Sequence, residues 1–354
     1  MIDTGQKLAA LLPLLHEAAW VALDTEADSL HSYPEKVCLI QLTLPSGDYL
    51  IDPLASVNLE PLFTGLRPHR LILHGADYDL RLLYRGRSFV PERIFDTMLA
   101  ARLLGEMEFG LVHLAAKFLG VQLQKGSQKA NWSQRPLTPR MEEYAINDTR
   151  HLQPLAALLE QELRAKGRLE WHEETCARLI RDCTRDQEID PDSLWRIKGA
   201  DKLDRRGLAV LRELWLWREA EAQHGNKPPY FITPHEQLIV WSGVIAQDRP
   251  FEGLIPPRFS PRRREALLTA VQKANKLPMA EWPKHRRNFG TRLRPEDKHR
   301  LDRLIQHRDR EAAQLGIDPT LIASKSTLVL LTHNWDANAP HLMNWQRALL
   351  KRPE

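Results

Sequence analysis

Val21-Ala22-Leu23-Asp24-Thr25-Glu26 runs an apolar stretch straight into two carboxylates, and its reading decides the fold. The apolar run from Ala18 to Leu23 predicts a strand, with Asp24 and Glu26 at its end. Side chains alternate along a strand, so these two acids share one face. Carboxylates side by side repel each other unless a cation lies between them. Asp28 follows two residues on, but Ala27-Asp28-Ser29 reads as the start of a turn and is left outside the site.

Downstream, strand and helix signals alternate. Val37–Leu44 (VCLIQLTL) reads as a strand, and Pro45-Ser46-Gly47-Asp48 turns it into Tyr49–Ile51. Leu71–His74 is a further short strand, and helical spacing follows at 78–83, 97–104, 111–119 and 139–159. Strands leading into helices predict an α/β domain around a mixed sheet.

The chain has 354 residues, 43% hydrophobic and 27% charged, enough for more than one packed domain and too apolar for general disorder. No stretch approaches the ~18 consecutive apolar residues of a membrane helix. Leu8–Leu15 is short and ends at His16-Glu17 with no small-residue cleavage site behind it, which argues against a signal peptide. Cys38, Cys176 and Cys183 are too few and scattered for a disulfide framework or a zinc site. A soluble, reduced, cytoplasmic protein is expected.

Charge is uneven. Residues 1–150 hold 15 basic and 18 acidic residues, whereas 255–310 hold 16 basic and 6 acidic ones, which suggests a cation-gathering front and a polyanion-gathering back. After about residue 172 the strand signals fade and helical patterns dominate. There the sequence matches itself at an offset of 90: Leu203, Leu211, Leu214, Arg218, Glu221, Ala222, Pro229, Ile232 and Leu238 recur at 293–328. These nine identities in 36 positions exceed the roughly three expected from composition. The offset is too long for a solenoid repeat and reads as two copies of one small helical domain.

Two further places carry acids. His74-Gly75-Ala76-Asp77-Tyr78-Asp79-Leu80 lies where a strand passes into a helix, a usual place for ligands in α/β sheets. One of Asp77 and Asp79 is expected to cap the helix, and spacing alone does not choose between them. Tyr144 and Asp148 stand four apart on a helix that begins at Thr138-Pro139, so they face the same way. An apolar-flanked acid there is costly without a partner. Two strand-end acids, one junction acid and one helix acid together suit Mg²⁺ or Mn²⁺, which take carboxylates and water.

This constellation resembles the three motifs of the DEDD superfamily of 3′→5′ exonucleases: Asp24-Thr25-Glu26, Tyr78-Asp79, and Tyr144 through Asp148. The resemblance selects Asp79 over Asp77. With Tyr144 four before Asp148 and Glu143 where a histidine would stand, it is of the tyrosine subgroup. More of the chain is similar to the ribonuclease D family in particular. Phe95-Asp96-Thr97, Asn131-Trp132-Ser133, Arg135-Pro136-Leu137-Thr138 and Trp195-Arg196-Ile197-Lys198-Gly199 fall where that family has similar strings. The duplicated module resembles the helicase-and-RNase-D C-terminal (HRDC) domain. Departures are Ala27-Asp28-Ser29 after the first motif and Met141 where glutamine is common; neither touches a metal ligand.

The resemblance implies a ribonuclease H-like exonuclease domain with a mixed sheet at 1–172. A helical linker at 173–200 and two small all-α domains at 201–282 and 283–354 would follow. It implies two divalent ions, Mg²⁺ or Mn²⁺, with Asp24 bridging them, Glu26 and Asp148 completing one site, and Asp79 supporting the second. Tyr144 would orient the attacking water rather than deprotonate it, since a tyrosine pKa lies near ~10. The expected reaction is 3′→5′ exoribonucleolytic release of nucleoside 5′-monophosphates from structured RNA such as tRNA precursors. DNA is the alternative substrate, and a catalytically silent nucleic-acid adaptor is the alternative class. His74 and Lys129 are candidate substrate contacts, with Lys125 beside the same path, and Trp132 either stacks on a base or pins its loop. Arg262–Arg264, Arg286-Arg287 and Arg292–Arg310 suit a phosphate backbone.

Overall fold

The computed structural model describes residues 1–124, 126, 128–186, 190–286 and 294–350. Lys125, Arg287 and Arg292 lie outside them. Five strands form one mixed sheet in the order β3-β2-β1-β4-β5: β1 (Val21–Ala27), β2 (Val37–Leu44), β3 (Gly47–Ile51), β4 (Arg70–Leu73) and β5 (Arg93–Asp96). The hairpin pairs β1–β2 and β2–β3 are antiparallel, and β1–β4 and β4–β5 are parallel. The expected mixed sheet is therefore present, with β1 at its centre.

Alternation along β1 sorts the helices onto two faces. Val21 and Leu23 enter a core built with α1 (Gly5–His16), α2 (Glu60–Leu66) and α3 (Asp77–Arg87). Ala22 turns the other way, with Ile72 and Phe95, onto α4 (Thr97–Leu104) and onto α7 (Leu152–Ala165). Between those two helices lie α5 (Leu111–Leu114) and α6 (Pro139–Arg150), the latter against β1, β2 and β3. The single helical run expected over 139–159 is two helices. His151, at φ −99° and ψ 0°, turns the chain between them. α8 (Leu169–Cys183) packs on β5, α3 and α4.

Beyond α9 (Pro191–Leu194), the two halves of the sequence repeat take matching shapes. The first is α10 (Arg205–His224), α11 (Pro229–Ile232), α12 (His235–Ala246) and α13 (Pro261–Lys276). The second is α14 (Pro295–Leu315), α15 (Pro319–Ile322), α16 (Lys325–His333), α17 (Trp335–Asn338) and α18 (Asn344–Leu350). Leu211 and Leu301, Leu214 and Leu304, Ala222 and Ala312, Ile232 and Ile322, and Leu238 and Leu328 are buried in pairs. Both copies repeat one polar detail, a buried hydroxyl bonded to the carbonyl four residues back: Ser242 to Leu238 and Thr332 to Leu328.

The chain divides into two compact units. One joins the described residues of Met1–Ala27, Lys36–Arg185 and Thr291–Glu354, and the other joins Asp28–Glu35 to those of Asp186–Gly290. Inside the first, the later helical copy shares a core with the sheet: Leu301, Leu304 and Leu328 lie in one cluster with Ala22, Ile72 and Phe95. Trp171 stacks on Trp345 at 5.0 Å, and Arg168 donates to the carbonyls of Leu103 and Leu315 at 2.6 Å each. Gly105 has φ +96°, and a methyl there would run into the carbonyl of Gly316. Inside the second unit, Tyr33 donates to Glu219 at 2.6 Å, and Tyr230 to the carbonyl of Leu30 at 3.0 Å.

Candidate active site

The exit end of β1 gathers the acids. Asp24 and Glu26 share Ala22's side of the sheet, where α6 lies, and Asp148 comes from that helix. One carboxylate oxygen from each of the three falls within 4.8 Å of the others. α6 is set in place by its start and its packing. Thr138 accepts from the Met141 amide, Pro139 occupies the first turn, and the Thr149 and Thr43 hydroxyls meet at 2.8 Å.

Asp79 arrives from the opposite face. Thr25, between the two strand acids, points to the α3 side and donates its hydroxyl to Asp79 at 2.5 Å. Asp79 is 5% exposed, whereas Asp77 lies at the surface paired with Arg81 at 3.0 Å. Asp96 fixes the approach to α3. It caps α4 through the amides of Met98 and Leu99, and also accepts from Gly75 and Ala76 at 3.1 and 2.8 Å. Asp96 thus caps one helix and also clamps the entry to another.

Burial of this many acids sets their electrostatics. Burial first, then Asp79, Asp148 and Glu26, pushes Asp24 well above the ordinary carboxylate range. Glu26 is raised to about 9 by burial and by Asp148 and Asp79. Asp148 rises to about 7, burial outweighing its hydrogen bond from Tyr144, and Asp79 to about 6, burial outweighing the Thr25 bond. Tyr144 is also pushed up, by burial and then by Asp148, Glu26 and Asp24, so its hydroxyl keeps its proton and donates to Asp148.

Two residues near these acids were not singled out in the sequence. In the sequence Thr25 reads only as the spacer between two acids. Gln41 pairs with Asp24 across β1 and β2, which puts both side chains on one face. It is fully buried, and among the described residues neither its amide oxygen nor its nitrogen has a partner. The signal was present: a lone carboxamide in the middle of VCLIQLTL.

The weaker candidates separate. His74 follows the last residue of β4, half-buried, its Nδ1 2.9 Å from the Thr97 hydroxyl, and burial lowers its pKa. Lys129 is exposed in the loop ahead of α6. Trp132 is a correction: it is fully buried among Leu39, Leu50, Leu137, Met141 and Ala145, so no face is left for a base, and it pins its loop. Of the basic stretch, Arg262 and Arg263 are bound to Glu221, and Lys273 to Glu213.

Residues 1–164 match the 3′-5′ exonuclease family model, and residues 207–240 match that of the HRDC domain. The chain is 33% identical over 352 residues to ribonuclease D of Zymomonas mobilis, covering 95% of this chain and 82% of that protein. It is 30% identical over 340 residues to ribonuclease D of Pseudomonas paraeruginosa, covering 93% and 89%. Its fold superposes on the crystal structure of Escherichia coli RNase D, an exoribonuclease involved in structured RNA processing. That match has a TM-score of 0.75 and 27% identity and covers 100% of this chain and 92% of that one.

Proposed function

The chain belongs to the ribonuclease D family of 3′→5′ exoribonucleases, and from that premise we propose that Asp24, Glu26, Asp79 and Asp148 hold two divalent cations, Mg²⁺ or Mn²⁺, beside which Tyr144 positions the attacking water. The exonuclease family is metal-dependent, and the acidic trio of Asp24, Glu26 and Asp148 could hold a metal ion. The observation that carries the reading is the convergence of that trio within 4.8 Å at the end of the central strand. An all-oxygen donor set fits a hard cation, and three half-buried carboxylates at this spacing are unfavourable without positive charge between them. The orphaned Gln41 amide points the same way, toward a ligand or water that completes its bonds.

A bound divalent cation there supplies charge neutralisation and water activation for an in-line phosphoryl displacement. The chain's own groups do the rest. Asp24, Glu26 and Asp148 hold the ions. Thr25 on β1 ties Asp79 of α3 to the strand, and Tyr144 stays protonated and orients by donating a hydrogen bond. Water oxygen bonds to the terminal phosphorus and the P–O3′ bond breaks. This leaves a 3′-hydroxyl on the shortened strand and a free nucleoside 5′-monophosphate. His74 and Lys129 contact the substrate strand. The physiological substrates are structured RNAs such as tRNA precursors, consistent with what the E. coli relative processes. The domains run 1–172, a linker 173–200, and two HRDC-like modules at 201–282 and 283–354. The HRDC match lies in the first of these, and matching helices and buried pairs support the second.

The test uses 3′-tailed RNA and its DNA counterpart, each labelled at the 5′ end, with Mg²⁺ or with EDTA. A ladder that shortens on RNA and vanishes in EDTA and in Asp148→Ala is the expected result. Full activity of Asp148→Ala or Asp24→Ala at ordinary Mg²⁺ would sink the site assignment, and faster shortening of DNA would sink the RNA preference.

A further inference from the structure

α8 carries Glu174, Arg178 and Arg181 at spacings of four and three, so they share one face of the helix, and Arg185 follows just past its end. This face and the turn at 340–343 enclose an open recess of about 650 Å³. Its two acids are already engaged. Glu174 accepts from the Asn344 and Trp345 amides at the start of α18, at 2.7 and 3.4 Å. Asp182 serves two arginines, Arg178 at 3.0 Å and Arg185 at 3.7 Å. Arg178 also donates to the His341 carbonyl at 2.7 Å, which fixes its head at the seam. Among the described residues, the three guanidiniums of this face thus share one carboxylate, Asp182, which pairs with two of them.

A second recess of about 480 Å³ shares Arg178, His341, Leu342 and Met343 with the first, and its walls add Thr327 and Gln346. Both volumes lie in the range of about 300–1,000 Å³ typical of small-ligand sites. The Gln346 amide and the Thr327 hydroxyl are taken up by the Leu321 carbonyl, the Met343 amide and Ser324, so what the groove offers a ligand is the fork-shaped cationic donors at its other end, suited to phosphate oxygens. The groove adjoins the reacting end of the domain. Cys183 bonds Asp77 at 3.3 Å and Arg81 reaches the Asp182 carbonyl at 3.5 Å, so α8 ends against the first turn of α3, where Asp79 sits.

We propose that this groove is a second RNA site, which takes the phosphodiester backbone of a single-stranded stretch of substrate outside the exonuclease centre. The inference rests on the ribonuclease reading above.

The experiment measures binding of a labelled single-stranded 20-nucleotide RNA to the full chain in EDTA, so that no turnover intervenes, over a series of salt concentrations. Arg181→Glu with Arg185→Glu is expected to weaken binding about 10-fold at ~0.1 M salt. It should also flatten the log–log salt slope by about 1.4, two phosphate contacts at about 0.7 each. The gentler pair Arg181→Gln with Arg185→Gln should move both readings the same way and less far, while Lys7→Glu, a charge reversal on α1, should move neither. Wild-type affinity and slope in both double variants would overturn the groove, as would a wild-type chain that does not bind the RNA. Shortening of the same RNA by wild type in Mg²⁺ is read separately. Its absence would sink the exonuclease reading, while the metal-free binding comparison still decides the groove.

Discussion

Thr25 faces away from the two acids that flank it, and for that reason it reaches a third. Its hydroxyl is the side-chain donor that orients Asp79. Thr25→Val keeps the strand shape and leaves a buried carboxylate short of a bond, which should cost about 1–3 kcal/mol of stability. It should also lower kcat by roughly tenfold or more through misplacement of Asp79; wild-type kcat with intact folding would contradict this role. Tyr144→Phe removes a donor and no charge. A fall in kcat of about 10- to 100-fold is expected, and since a phenol raised above its ordinary value does not titrate near neutrality, any change in pH profile should come from Asp148, which loses a bond that lowers its pKa. The acids make a separate pH prediction. Glu26 at about 9 and Asp148 at about 7 hold protons more tightly folded than unfolded, where carboxylates lie near ~4. What these two acids contribute to the stability of the metal-free chain therefore falls as pH rises from about 4 to about 9, and Mg²⁺, which competes with those protons, binds better over the same interval. The Mg²⁺-induced rise in Tm should be larger at pH 8.5 than at pH 6; equal rises would contradict it.

At the scale of elements, the loop that delivers α6 depends on one arginine. Arg135 takes Asp52 in a two-pronged pair at 2.6 and 2.7 Å, and also donates to the carbonyls of Cys38 and Trp132. Burial works to raise Asp52, but its bonds to Arg135 outweigh it and hold the carboxyl below its ordinary value. Arg135→Ala leaves that mostly buried carboxylate unpaired, so about 3 kcal/mol of stability should go, read by denaturant unfolding at pH 7. The difference from wild type should shrink as pH falls through the Asp52 titration, since a lowered pKa contributes stability only above it. None of this pairing was legible in the sequence, because Asp52 and Arg135 stand 83 residues apart. What was legible had local causes. β2 is a long apolar run with a turn behind it, and it appears where expected, whereas β5, Arg-Ile-Phe-Asp, has four residues and no alternation to read. The break at His151 escaped for the opposite reason: apolar spacing continues across it, and only the backbone turns. Trp132 shows the limit for a single side chain, since stacking on a base and filling a core call for the same residue type, and its burial decides between them.

At the scale of the whole molecule, the repeat offers a matched pair of experiments. Leu214 and Leu304 occupy equivalent positions, 90 residues apart, and both are 0–1% exposed. Their surroundings differ. Leu214 lies in a cluster made within the helical unit, with Trp217, Trp241 and Leu238, whereas Leu304 lies in the cluster that also holds Ala22, Ile72 and Phe95 of the sheet. Either leucine changed to alanine should cost about 2–5 kcal/mol in its own unit. The readout that separates them is amide hydrogen exchange. Leu304→Ala should speed exchange in β1, β4 and β5, because deleting its methyl groups loosens a core those strands share. Leu214→Ala should speed exchange in α10, α12 and α13 and leave the sheet as it was. Activity should follow the same division. Three of the four acids hang on β1 and α6, so heating should abolish turnover earlier in the Leu304 variant than in the Leu214 variant. Faster exchange restricted to α14 and α16, with sheet amides unmoved by Leu304→Ala, would mean that the later helical copy folds independently of the strand that carries Asp24 and Glu26.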